Sequence, residues 1–259
     1  VMADYLTGTN QLEAASTFYN QLIDIDPYNA SYWVGLAKCR FAAEDCEKAI
    51  EACDFALAAD DKCGEAYAYR GHSYFYLNNS DAAIEDYKKA IKYKALPPEM
   101  GYMFLGLTYS NKEAWKEADD YYQRVIDRFI EEGLGNSPLL IDTYTNKAVA
   151  ASRLGKYEEA HQLCKKAIAI QPDDPAIYLA EGKLYIQENQ KKKAVKSFDK
   201  ALTMEPSAEM WYMVASAYSD AEYLYQAKLC FQEAYRIDPN YADIAEKLSV
   251  LSLMHNEID

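Results

Sequence analysis

His161 and Cys164 stand three residues apart, a spacing that on one helix face lets an imidazole and a thiolate share a metal ion. The six cysteines, Cys39, Cys46, Cys53, Cys63, Cys164 and Cys230, contain no C-x-x-C pair, and 39, 46 and 53 fall seven apart, as small apolar residues on helix faces do. Lys191-Lys192-Lys193 is the densest basic run; it reads as a solvated turn, with a phosphate or acidic-partner site as the rival. Asn29-Ala30-Ser31 and Asn78-Asn79-Ser80 match the glycosylation tripeptide, a motif too short to carry weight. Phosphate-binding, zinc-protease and nucleophile-elbow signatures are missing. Gly133-Leu134-Gly135 follows a predicted helix rather than a strand, so it is no dinucleotide loop. The carboxylates sit where solvated helix faces place them. The expectation is a non-enzymatic chain with no catalytic residues, no metal and no cofactor.

The elements that must carry these residues are set by a period. Ala15, Ala49, Ala83, Ala118, Ala160, Ala194 and Ala227 recur at steps of 34, 34, 35, 42, 34 and 33. Trp33, Tyr67, Tyr102, Tyr144, Tyr178 and Trp211 keep the same phase and share the 42-residue step. A fixed interval of this size marks stacked repeats. In residues 175–207, Tyr178, Gly182 and Tyr185 line one helix face, Asn189-Gln190 breaks the helix, and Ala194, Phe198, Ala201 and Leu202 line a second. Pro206 cannot continue that helix, because it lacks the N–H. Gly182 and Ala194 allow two antiparallel helices to approach closely. Cys53 and Cys164 share one phase of the period, where other units carry Tyr or Phe. They read as buried free thiols, with a disulfide or zinc site as the rival, and free thiols favour a cytoplasmic location.

The unit resembles the tetratricopeptide repeat, with an aromatic at position 4, Leu-Gly at 7–8, Tyr at 11, Ala at 20, an aromatic at 24, Ala at 27 and Pro at 32. Residues 208–241 carry Trp211, Val214, Ala215, Tyr218, Ala227, Phe231, Ala234 and Pro239; residues 99–132 carry Tyr102, Leu105, Gly106, Tyr109, Ala118 and Tyr122. The resemblance implies an all-α fold, a right-handed superhelical solenoid of antiparallel helix pairs. The expected organisation is one solenoid over 1–259: a truncated first repeat at 1–29, repeats at 30–63, 64–98, 99–132, 141–174, 175–207 and 208–241, an inserted loop at 133–140, and a capping helix at 242–256. The first helix of the 1–29 unit is reduced to Val1 to about Thr7, so the chain reads as lacking some native N-terminus. The loop reads as a spacer, or as a contact loop that reshapes the groove. Two departures stand out. Position 7 is Arg70, Lys147 and Glu181 in three units, and position 32 is Asp61, Ala95 and Ile130 in the second, third and fourth units.

The family's first helices line a concave face at positions 2, 5, 6, 9, 12 and 13. The Lys and Asn clamp that some members use for chaperone C-terminal tails is not matched: position 5 runs Val34, Ala68, Met103, Thr145, Leu179, Tyr212, and position 9 runs Lys38, His72, Leu107, Val149, Lys183, Ser216. The expected partner site is therefore a strip of Val34, Lys38, Phe41, Tyr69, His72, Phe75, Tyr76, Met100, Met103, Phe104 and Leu107, suited to the apolar anchors of a peptide or helix. The rival reading packs many of these rings between helices. Later units are more polar, with Asp142, Asn146, Ser152, Arg153, Glu209, Ser216 and Asp220.

Charge narrows the partner. With 27 Lys and Arg against 41 Asp and Glu, the chain is −14, which disfavours nucleic acid and anionic membrane surfaces, so neither is expected as a partner. No apolar run approaches the roughly 20 residues of a membrane helix. The expectation is a scaffold for a protein or peptide with basic flanks. The alternative is an assembly or sensor module of a longer protein, acting by self-association as a homodimer. Val250, Leu253 and Met254 motivate it, by widening the apolar stripe of the last helix.

Overall fold

The structure, a computed structural model, describes residues 11–133 and 137–256, with side chains described through Leu253. Among the described residues there are fourteen helices and no strand. The chain divides into two compact units, 1–133 and 134–259. The division falls within the 42-residue step of the sequence period. In the first unit α1 (Leu12–Ile25) precedes three hairpins: α2 (Ala30–Ala42) with α3 (Cys46–Ala59), α4 (Gly64–Tyr76) with α5 (Ser80–Lys92), and α6 (Pro98–Asn111) with α7 (Trp115–Glu132). In the second, α8 (Pro138–Arg153) pairs with α9 (Tyr157–Ile170), α10 (Pro175–Gln187) with α11 (Lys191–Met204), and α12 (Ala208–Asp220) with α13 (Leu224–Ile237); α14 (Ile244–Asn256) packs on α13. Each hairpin's second helix also packs on the next first helix: α3 on α4, α5 on α6, α9 on α10 and α11 on α12. Within each unit this is the stacking of an all-α solenoid of antiparallel helix pairs. No helix of the described residues is long and apolar enough to cross a membrane.

The two sequence ladders have separate physical causes. All seven periodic alanines are fully buried. Beside them a glycine makes room for a ring: a Cβ on Gly106 would lie 2.5 Å from Tyr122 Cε1, and Gly182 is equally blocked by Phe198. In three units the aromatic at position 4 ties the unit's entry to the preceding loop. Trp33 Nε1 donates to the Pro27 carbonyl at 2.8 Å, Tyr67 Oη to Asp61 at 3.1 Å and Tyr178 Oη to Pro172 at 2.9 Å. The donor sits six residues after the acceptor each time, so the ring satisfies a carbonyl that no helix covers.

Each hairpin turns on one left-handed residue at position 15. Glu44, Asn78, Glu113, Gly155, Asn189 and Glu222 have φ between 57° and 76°. Only Gly155 is glycine, which is why the turn is inconspicuous in sequence. At unit ends, Asp60 closes α3 with the same extended backbone that precedes Pro172, Pro206 and Pro239 elsewhere, so Asp61 replaces proline without consequence. After α5, Lys94 (φ 58°) turns the chain, and Gly133 (φ 68°) closes α7. The stretch 133–140, expected as a loop, is helical from Pro138 onward, and residues 134–136 lie outside the described residues. Much of the eight-residue excess goes into longer helices, 18 residues in α7 and 16 in α8. Val1 to about Thr7, the expected first-helix remnant, and the Met254 side chain also lie outside the described residues.

The charged position-7 residues are held by polar partners. Arg70 Nε and Nη2 donate to the Asp86 carboxylate at 2.8 and 2.9 Å, and Nη1 reaches Asp54. Lys147 pairs with Glu159 at 2.9 Å, and Glu181 accepts from Ser197 Oγ at 2.7 Å. Each is matched by a polar partner on a facing helix, which offsets its burial. The six cysteines are free; Cys39, Cys53, Cys164 and Cys230 are buried. His161 Nε2 lies 2.8 Å from Glu188. In α14, Ile244 and Leu251 are buried while Val250 and Leu253 are exposed.

Candidate functional site

The first helices α2, α4 and α6 bring six of the eleven strip residues together. The periodicity dictates this: 38 and 41 on α2, 69, 72 and 76 on α4, and 104 on α6 fall on one face of each helix. The Phe41 ring meets Tyr69 at 6.0 Å, His72 at 5.9 Å and Tyr76 at 5.5 Å between centroids, edge-on to both tyrosines. His72 continues the cluster to Phe104 at 4.6 Å, edge-on. Lys38 Nζ lies 5.4 Å from the Tyr69 centroid and is paired with Glu65 at 2.7 Å. Edge-to-face contacts at these distances hold rings in fixed orientations, so the strip is preformed.

His72 is its pivot. Its Nδ1 lies 2.9 Å from Tyr87 Oη, and the Tyr87 ring stacks on Phe104 at 5.3 Å. Burial pushes the His72 pKa down to about 4, so the imidazole is neutral at pH 7. Burial also raises the Tyr87 phenol pKa, keeping it protonated. The strip thus carries no charge of its own apart from Lys38.

The other five predicted residues divide. Val34 and Met103 are 3% and 6% exposed and pack inside, which corrects their placement on the groove surface. Helical spacing assigns a face but not a depth, and neighbouring helices cover these two. Phe75 packs against Ala83, Ile84, Tyr87 and Leu105, with its ring edge-on to Tyr76 at 6.1 Å. Met100 is exposed and Leu107 half-buried; both share the α6 face of Phe104, one turn away on either side. Sequence reasoning missed the notch at the end of the strip. It is a cavity of about 710 Å³ between Phe41 and Tyr76, walled by Glu44, Asp45 and Glu47. Asp45 is committed to Lys48, capping α3 through the backbone N–H and pairing with Nζ. The acidic turn 44–47 after Phe41 was the available signal.

Comparison with known proteins places this geometry in a family. Three family models, each described as tetratricopeptide repeat, match residues 100–173, 152–217, and 64–95 with 208–241, together more than half of the chain. The human Protein O-mannosyl-transferase TMTC3 is 28% identical over 182 residues, covering 63% of this chain and 20% of that protein. A Dictyostelium discoideum DnaJ homolog subfamily C member 7 homolog is 27% identical over 146 residues, 53% of this chain and 27% of its own. The chain therefore spans about a quarter or less of either relative. Among solved structures, a tetratricopeptide repeat protein from Parabacteroides merdae superposes with a TM-score of 0.78 at 18% identity, over 97% of this chain and 96% of that one. YrrB, described as a TPR protein with an unusual peptide-binding site, gives 0.58 at 19% identity, over 74% and 94%. These likenesses concern the fold. The chain belongs to the tetratricopeptide repeat family, whose stacked helix pairs serve as a protein-interaction scaffold.

Proposed function

We propose that the first unit binds a peptide or helix of a partner protein by receiving its apolar anchors on Lys38, Phe41, Tyr69, His72, Tyr76 and Phe104, without catalysis. The observation that carries this reading is the interlocked ring cluster across three first helices, with Tyr76 69% exposed at its edge. Rigid aromatic rings lose little entropy on contact and are over-represented where binding energy concentrates. Charge selects the partner. Residues 1–133 hold 13 Lys and Arg against 23 Asp and Glu, a net −10. The notch between Phe41 and Tyr76, with Glu44 and Glu47, suits a lysine or arginine beside the anchors. Within the ring cluster the groups that could do chemistry are engaged: Lys38 is paired with Glu65, and the His72 Nδ1 meets the Tyr87 hydroxyl. Mannosyl transfer belongs to the name of a relative of which the chain spans 20%. The test is partner capture followed by titration. The double variant Tyr69→Ala, Phe104→Ala should lose at least about 30-fold in affinity, two anchors of about 1 kcal/mol or more each. Unchanged affinity removes the strip from the account.

A second reading rests on α13 and α14, where Tyr225, Leu229, Val250 and Leu253 are exposed. It makes this end a self-association surface. Light scattering across a concentration series decides it: a constant monomer mass eliminates self-association.

A further inference from the structure

The second unit holds a cavity of about 440 Å³ lined by α8, α10 and α12 and the turns that follow α10 and α12. Its floor is made of small residues, among them Ala180 and Ala217, which leave room for a peptide main chain. Its polar wall is unusual for a chain of −14. Arg153 and Lys183 both line it, against one carboxylate, Asp220. Lys183 has no hydrogen-bond or ion-pair partner among the described residues. The surrounding protein desolvates it and lowers its pKa, an effect that Asp220 opposes. Two amides add donors. The Gln187 Oε1 already accepts from the Ser152 hydroxyl. The Asn189 Oδ1 accepts from Tyr223 Oη at 2.8 Å. With both amide oxygens engaged, each NH₂ remains to donate.

We infer that this cavity binds the side-chain carboxylate of an acidic residue in a partner peptide, held by Arg153 and Lys183. Guanidinium and ammonium donors facing one carboxylate form charge-assisted hydrogen bonds, about twice as strong as neutral ones. Asp220 sets the class of anion: beside it a single negative charge is repelled less than a dianion such as phosphate. The residues are wholly distinct from the aromatic strip, so failure here leaves the first-unit reading untouched, and the reverse.

The test is a ¹⁵N-resolved titration of the full chain with Ac-Ala-Ala-Glu-Ala-Ala-NH₂, whose only carboxylate is the side chain. The glutamine counterpart and the uncapped Ac-Ala-Ala-Gln-Ala-Ala-OH serve as controls. The expected result is saturable shifts at the amides of Lys183, Gln187 and Ala217, with the glutamine peptide weaker by about tenfold or more. Lys183→Gln weakens the glutamate peptide by a similar factor, and Asp220→Asn tightens it. Raising the salt concentration weakens it in the unsubstituted protein, a readout that needs no variant to fold. The inference is overturned if no saturable shift appears up to about 20 mM, a concentration that would reveal millimolar binding. It is also overturned if both capped peptides bind alike, if the uncapped peptide binds as well as the glutamate peptide, or if Asp220→Asn weakens binding.

Discussion

Replacing Arg70 by methionine tests how the position-7 departures are tolerated. Methionine keeps an apolar stem against Tyr67 and Tyr74, whose centroids lie 5.5 and 6.0 Å from the guanidinium carbon. It removes two donors from Asp86, whose side chain is 3% exposed, and one from Asp54, which is 54% exposed. The exposed pair contributes at most about 1 kcal/mol. The buried one dominates, because an uncompensated carboxylate in the core costs about 3–5 kcal/mol. Arg70→Met should therefore destabilise the chain by roughly 3–5 kcal/mol. Arg70→Met with Asp86→Leu should recover most of that loss, since both charges leave together. Urea unfolding followed by helical circular dichroism measures both, and the coupling should exceed about 2 kcal/mol. A single-variant cost below about 1 kcal/mol, or a double variant as unstable as the single, refutes the claim that the guanidinium is there to serve Asp86.

Three further predictions concern the same units. The His72 pKa is about 4 in the folded state, below its ordinary 6.5, so the unfolded chain takes up a proton first as pH falls. Stability should drop between pH 6.5 and 4, by no more than about 3 kcal/mol, and His72→Gln should flatten that slope in denaturant midpoints measured across the range. Glu113 holds φ at 58°, so Glu113→Gly should raise stability by about 0.5–1 kcal/mol in the same assay; a loss would show that the side chain matters more than the strain. Burial raises the thiol pKa of Cys53, Cys164 and Cys230 to about 12. Mass-resolved alkylation of the native protein should therefore label the half-exposed Cys46 and Cys63 first, and early labelling of Cys164 would contradict its burial.

The period was legible because its residues have local and repeated jobs: alanine at the helix crossing, and in three units an aromatic donating to a loop carbonyl six residues back. Chemistry that depends on a facing helix was not. Arg70 looked like a misplaced charge until Asp54 and Asp86, sixteen residues away on either side, were seen around it. The hairpin turns hid behind Glu44, Glu113 and Glu222, since only one unit uses glycine. For the strip, helical phase named the right faces and brought Phe41, Tyr69, His72, Tyr76 and Phe104 together. It put Val34 and Met103 on the surface because phase says nothing of how deeply a neighbouring helix covers a side chain. The Arg153–Lys183 cavity draws on three helices, and no single stretch of sequence displays it.

Peptide selection on the full chain tests the central claim most directly. A random library displayed on phage, selected on the immobilised protein, should converge on aromatic or large aliphatic anchors flanked by Lys or Arg. Tyr76→Ser, a change at a largely exposed ring whose lost contact with Phe41 should cost about 0.5–1.5 kcal/mol of stability, should weaken the selected peptide by about tenfold or more. The absence of any anchor-bearing, Lys- or Arg-flanked family among the selected peptides, or the same affinity for Tyr76→Ser and for Tyr69→Ala with Phe104→Ala as for the unsubstituted protein, would contradict the account.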